Sequence, residues 1–206
     1  MTSTAASPTR RYDPTTALVV VDMQNDFADP EGGLYVSGGD DVVDVVNREI
    51  AAAREAGALV VYTQDWHPPK TPHFAKDGGD WPVHCVRDTW GAELHPDLEV
   101  LDDAPVVRKG VDGGDGYSGF SVRDPVSGEE SATELGRHLE EAGIQRVVVV
   151  GLAGDVCVKE TAVDARQLGY EVILPEAATR MVEQGEDDRE AALAAMREAG
   201  VDVRPE

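Results

Sequence analysis

Cys157 stands at the head of a helical pattern, directly after the run Gly151-Leu152-Ala153-Gly154-Asp155-Val156. A helix N-terminus favours a thiolate over a thiol, and a neighbouring ammonium does the same. A cysteine so placed can be a nucleophile. The competing reading is an inert buried cysteine that packs as a small hydrophobe. Asp22 closes a run of three valines. A carboxylate of raised pKa there can accept a thiol proton and later hand it to a leaving amine; aspartates also cap turns without doing chemistry. Lys109 follows Val106-Val107-Arg108 and is one of four lysines against fourteen arginines. That bias mildly favours a compact point charge at this position.

Three of the five histidines, His67, His73 and His84, fall in one irregular stretch, and Asp65 precedes His67 by two residues. Side chains two apart on an extended chain project to the same side. One carboxylate with two or three imidazoles makes a donor set for a divalent transition metal, and Zn, Fe and Mn all accept it. The bland alternative is a set of exposed loop histidines. Cys85 adjoins His84 but is read as packing, and His95 and His138 are given no role. Gly116-Tyr117-Ser118-Gly119 does not satisfy Gly-x-Ser-x-Gly.

These residues need elements to hold them. Residues 17–21 are a continuous β-branched and aliphatic run, as expected of a strand buried on both faces. Val42, Val43, Val46, Ile50 and Ala53 recur at helical spacing, and Gly57 ends that helix. Further strands are expected at 58–63, extending to Asp65, at 106–108, 146–151 and 171–174, with an edge strand at 201–203. Helices are expected at 155–168 and 187–199. Ser131 with Glu134 reads as a capping box for a helix through Leu135 and Leu139. The stretch 64–105 is long and irregular, which usually marks function. The Gly- and Asp-rich residues 112–119 read as a mobile loop. Alternating strands and helices predict a three-layer α/β/α sandwich with a mainly parallel central sheet. Ligands of such sheets bind at the carboxyl ends of the strands, where Asp22, Asp65, Lys109 and Cys157 all fall.

The chain has 206 residues, 41% of them hydrophobic and 28% charged, with a formal net charge of −22. Residues 1–14 read as a disordered tail and 15–206 as one domain. The acidity argues against nucleic acid and anionic membranes as partners. The N-terminus lacks the apolar core of a secretory signal, and no apolar run reaches the roughly 18 residues of a membrane span. A reduced, cytoplasmic setting is the expectation. The long loops leave a homo-oligomeric interface open.

Five segments together resemble the nicotinamidases of the isochorismatase-like cysteine hydrolases. They are Val20-Val21-Asp22-Met23-Gln24-Asn25-Asp26-Phe27, Thr63-Gln64-Asp65-Trp66-His67, Trp81-Pro82-Val83-His84-Cys85-Val86, Lys109-Gly110 with Tyr117-Ser118-Gly119-Phe120, and Gly151-Leu152-Ala153-Gly154-Asp155-Val156-Cys157-Val158. The resemblance implies a catalytic triad of Cys157, Asp22 and Lys109. It implies a cis peptide at Leu152-Ala153 and an oxyanion hole from the backbone N–H groups of Ala153 and Cys157. It implies one divalent metal, Zn favoured, on Asp65, His67 and His84 with His73 as a further ligand. Substrate contacts map to Phe27, Trp81, Tyr117, Leu152 and Ala153. The implied reaction hydrolyses nicotinamide to nicotinate and ammonia through a thioester, in NAD salvage, with the metal orienting the pyridine ring. The small-molecule amide is the implied partner.

Gly154 departs from the Thr of many members, Val156 from an aromatic or His, and the loop after Lys109 is unusual; these put the exact amide in question. Three other readings compete. A metal-free carbamoyl amidohydrolase is opposed by the Asp/His set, and an ether hydrolase by Cys157. A non-catalytic binding module would carry an ordinary thiol of pKa ~8.5, whereas a catalytic thiolate is expected well below that.

Overall fold

The chain alternates strand and helix around one sheet. The computed structural model describes residues 11–183, 185 and 188–205. In chain order the elements are β1 (Thr16–Val21), α1 (Asn25–Ala28), α2 (Gly39–Glu55), β2 (Leu59–Asp65), β3 (Val106–Lys109), β4 (Ser121–Arg123) and β5 (Glu130–Ala132). There follow α3 (Leu135–Glu141), β6 (Arg146–Leu152), α4 (Cys157–Gln167), β7 (Glu171–Pro175), β8 (Thr179–Arg180), α5 (Asp188–Glu198) and β9 (Asp202–Arg204). The main sheet runs β3-β2-β1-β6-β7-β9, and all its pairings are parallel. β8 continues alongside the end of β6.

The sheet is covered on both sides, so its strands are apolar without alternation. All six residues of β1 are buried. Their side chains still divide by the two-residue period of a strand. Leu18 and Val20, with Val148, Val150 and Leu152 of β6, pack toward the Val42, Val46 and Ile50 stripe of α2. Ala17, Val19 and Val21 pack on the other face, against Leu135 and Leu139 of α3, Val158 and Ala162 of α4, and Leu193 and Met196 of α5. Full burial of each such Val or Leu contributes roughly 1.5–3 kcal/mol, and aromatics are scarce in both layers. In α2, Asp40 and Asp41 sit in the first turn and Arg54 in the last, each favourable to the helix dipole. Gly57, at φ +70°, takes the chain out of it.

From β1 the chain moves outward through β2 to β3, then returns to β6 on the other side of β1. The reversal lies between β1 and β6, and a crevice opens there at the carboxyl ends.

Several expectations need correction. Residues 1–10 of the expected tail lie outside the described residues. Beyond them, Tyr12 is buried in the core and Arg11 pairs with Glu49, so ordered structure begins before position 15. Ser131 caps no helix: it lies in β5, opposite Val122 of β4. Thr133 does the capping, its Oγ1 accepting from the N–H of Leu135 at 3.1 Å. The loop 112–119 is packed rather than loose, with Gly113, Gly114, Gly116 and Ser118 buried. No helix among the described residues is long and apolar enough to cross a membrane.

Candidate active site

Four strand ends deliver side chains to the crevice. Asp22 comes one residue after β1, in the left-handed region at φ +46°, which turns the chain at once out of the sheet. Asp65 ends β2, Lys109 ends β3, and Cys157 opens α4 after the turn from β6. Lys109 is fully buried. Its Nζ lies 2.7 Å from Asp22 Oδ2, 2.7 Å from Asp65 Oδ1 and 3.8 Å from Cys157 Sγ, and it also donates to the carbonyl of Gly116. Thr63 Oγ1 donates to Asp22 Oδ1 at 2.6 Å. Cys157 is buried and borders the cavity between these groups and the histidines.

One buried ammonium thus faces two buried carboxylates. Burial opposes the charge of Asp65, but Lys109, then His67 and His84, hold its carboxyl well below the usual range. Burial pushes Asp22 up, and the pull of Lys109 does not cancel it, with Asp65 adding repulsion. Burial opposes the Lys109 charge as well, but the two aspartates outweigh it and hold the ammonium firmly protonated. Burial drives the Cys157 thiol well up; Lys109 opposes this, while Asp22 and Asp65 reinforce it. The expectation of a standing thiolate is therefore corrected. Two carboxylates and desolvation outweigh the helix N-terminus and one ammonium, so the thiol rests protonated beside a carboxyl of raised pKa.

Beyond Asp65 the three histidines converge. The ligand atoms of His67, His73 and His84 lie within 4.8 Å of one another, and all three residues are buried. His67 and His73 stack at 4.5 Å between ring centroids. His84 Nδ1 lies 2.7 Å from the carbonyl of Pro82. A carbonyl only accepts, so Nδ1 carries the proton and Nε2 keeps its lone pair. Burial pushes the His84 pKa down to about 4 and lowers that of His73, so both imidazoles are neutral near pH 7. Asp65 Oδ2 lies 3.8 Å from Nε2 of both His67 and His84. That is too long for hydrogen bonds. Both ring nitrogens of His67 are buried without a hydrogen-bond partner. A buried polar atom left so is costly unless something else satisfies it. Imidazole nitrogens with a carboxylate suit a divalent cation, so these four residues could hold one.

A narrow cavity joins the two groups. Phe27, Trp81, Tyr117, Ala153 and Cys157 line it together with Asp65, His73 and His84. Trp81 Nε1 donates to the Tyr117 hydroxyl at 2.9 Å, joining two walls. The Leu152-Ala153 peptide bond is cis. Leu152 does not line the cavity. It is fully buried in the core toward α2, on the same strand face as Val148 and Val150.

Several residues that hold this arrangement were not singled out from sequence. Gln24 clamps Asp65 by its main chain, accepting from its N–H at 2.8 Å and donating to its carbonyl at 2.8 Å. Asp26 accepts from the N–H groups of Cys85 and Gly33, at 2.7 and 2.8 Å, and so anchors the segment that carries His84. Cys85 is buried in the core, in keeping with its reading as packing. Gly110, at φ +72°, has no room for a side chain: a Cβ would sit 2.5 Å from the His67 ring. Leu34, Val36 and Val182 complete the cavity from loops. Gln24, Asp26 and Gly110 fall within the segments that carry the family resemblance, and that position was their signal.

The chain matches the family described as Isochorismatase domain over residues 16–205. It is 40% identical over 175 residues to a nicotinamidase of Escherichia coli (strain K12), spanning 77% of this chain and 80% of that protein. It is similar in structure to the pyrazinamidase of Pyrococcus horikoshii in complex with zinc, at 38% identity and a TM-score of 0.83. That match covers 93% of this chain and 99% of the other. It is also similar to PnC1 from L. infantum in complex with nicotinate, at 38% identity and a TM-score of 0.84, over 93% and 92% of the two chains.

Proposed function

We propose that this chain, which belongs to the isochorismatase family, is an amidohydrolase that converts nicotinamide to nicotinate and ammonia. The observation that carries the reading is one cavity bordered by Cys157 on one side and by the Asp65 and imidazole cluster on the other. The imidazoles favour this amide over those of metal-free carbamoyl amidohydrolases, because they would hold a divalent cation for which a pyridine nitrogen is a well-matched ligand.

Asp22 accepts the thiol proton as Cys157 Sγ attacks the carboxamide carbon. Its raised pKa suits both the uptake and the later return of that proton. The N–H groups of Ala153 and Cys157 are assigned to the developing oxyanion. Asp22 then gives the proton to the departing nitrogen, ammonia leaves, and a thioester to Cys157 remains. Asp22 next takes a proton from water, which adds to the thioester carbon. Cys157 leaves, regains its proton, and nicotinate is released. Lys109 keeps the carboxylate form of Asp22 accessible throughout. Phe27, Trp81 and Tyr117 enclose the ring, with Ala153 beside the amide. A divalent cation, proposed as zinc from the Pyrococcus relative, would be held by Asp65, His67, His73 and His84 and supplies a Lewis acid that orients the pyridine ring. Removal of nicotinamide in this way places the chain in NAD salvage.

The test is ammonia release from nicotinamide by purified protein, with metal content determined on the same sample. Release with about one metal per chain is expected from the imidazole cluster. Folded, metal-loaded protein that releases no ammonia would move the substrate to another small amide.

A further inference from the structure

We propose that Asp115 is a positioning residue for the metal site, fixing the proton and the orientation of His73 through a carboxylate–imidazole hydrogen bond. The inference rests on the reading of His73 as a ligand and goes beyond it to a residue outside the donor set. Asp115 Oδ1 lies 2.6 Å from His73 Nδ1. An ionised carboxylate can only accept, so the proton sits on Nδ1 and the other ring nitrogen keeps its lone pair. Hydrogen bonds to an ionised acceptor are short and strong, and such an outer carboxylate raises the basicity of the imidazole as a ligand.

The other two imidazoles are held differently. His84 leans on the carbonyl of Pro82, which no side-chain substitution removes. His67 has no hydrogen-bond partner at either ring nitrogen. Asp115 is therefore the side chain through which the orientation of an imidazole can be altered directly without touching a donor. Its own backbone is pinned separately: its N–H donates to the carbonyl of Arg123 at 2.7 Å, and the N–H of Arg123 donates back at 3.0 Å. Changing the side chain leaves that two-way bridge in place. The next two residues reach the rest of the site. The Gly116 carbonyl accepts from Lys109, and the Tyr117 hydroxyl accepts from Trp81. Residues 115–117 thus touch the imidazoles, the buried ammonium and the cavity wall in succession.

The experiment measures the Kd for Zn²⁺ by competition with a chromophoric chelator, for wild type, Asp115→Ala, Asp115→Asn and His73→Ala, beside the unfolding midpoint of each metal-free protein. Asp115→Ala is expected to weaken Zn²⁺ binding by about 10–100-fold, with an unchanged metal-free midpoint. Asp115→Asn, which keeps an oxygen acceptor without the charge, recovers part of the loss. Wild-type affinity in Asp115→Ala, alongside lost affinity in His73→Ala, overturns the role of Asp115 and leaves His73 a ligand. Absence of Zn²⁺ binding by the wild type overturns the ligand reading and the inference with it. If Asp115→Ala does not fold, Asp115→Asn decides: weaker binding supports the role and wild-type binding overturns it.

Discussion

The site has a half built on strand ends and a half built on loops. Asp22, Asp65, Lys109 and Cys157 take their places from the parallel ladder of β3-β2-β1-β6, whose hydrogen bonds are indifferent to side chains. His73, Trp81, His84 and Tyr117 lie on loops outside the main sheet, with one isolated bridge between Phe74 and Trp81. Individual side chains orient them, namely Asp115 on His73, Asp26 on the segment of His84, and the Tyr117–Trp81 bond. The contrast teaches that damage to the two halves differs in kind. A change in the strand half removes charge balance or chemistry, while a change in the loop half removes orientation.

The largest effect is expected from Cys157→Ala: ammonia release is abolished, while Zn²⁺ affinity stays at the wild-type value. Residual turnover near wild type would remove the thiol as nucleophile. Lys109→Met is next. It leaves two buried carboxylates without their cation, which costs about 3–5 kcal/mol, read as a lower urea midpoint. An unchanged midpoint would show that the ion cluster is not what holds the strand ends. Asp26→Ala breaks an anchor of the loop half and leaves the N–H of buried Cys85 without its acceptor, at about 1–3 kcal/mol. It is expected to raise KM and weaken Zn²⁺ binding more than it lowers kcat; a fall confined to kcat would contradict the division.

The smallest effect belongs to a region remote from both halves. Burial, then Glu49, raises the Tyr12 phenol well above its ordinary pKa, so the folded chain keeps a proton that the unfolded chain loses near pH ~10. The stability it gives is complete below that pH and declines as pH rises above it. Tyr12→Phe should flatten the loss of stability between pH 9 and 11, as followed by urea unfolding, and leave turnover at pH 7 unchanged. A slope identical to wild type would place the ionising group elsewhere.

Legibility in the sequence follows the same division. Asp22, Asp65 and Lys109 could be found because an apolar run announces a strand and a charged residue at its end announces the edge. The layers were readable for the same reason, since Val42, Val46 and Ile50 mark a buried helix stripe. Asp115 was not readable. Its loop has the composition of a flexible segment, and only tertiary contacts with His73 and Arg123 turn it into a fixed part. Ser131 misled because Ser-x-x-Glu fits a capping box by spacing alone, while cross-strand pairing with Val122 claimed the residue. Leu152 was misplaced although its face was readable, as Val148, Val150 and Leu152 alternate onto the α2 side. Leu34 and Val36 reach the cavity from the loop between α1 and α2 and Val182 from the segment after β8, and no local pattern ties the two segments together.

β1 pairs residue for residue with β6, Thr16 opposite Arg146 and Val21 opposite Gly151. During synthesis the ribosome delivers β1 early and β6 only after more than half of the chain has followed. β2 can cover one edge of the strand in that interval, but the other edge waits. A largely apolar strand edge of this kind is a template for pairing with other chains. Its exposure is set by the time to translate and close a long-range contact. The strand pairing that aims Asp22 and Cys157 at one cavity is therefore also the step on which the yield of folded protein depends.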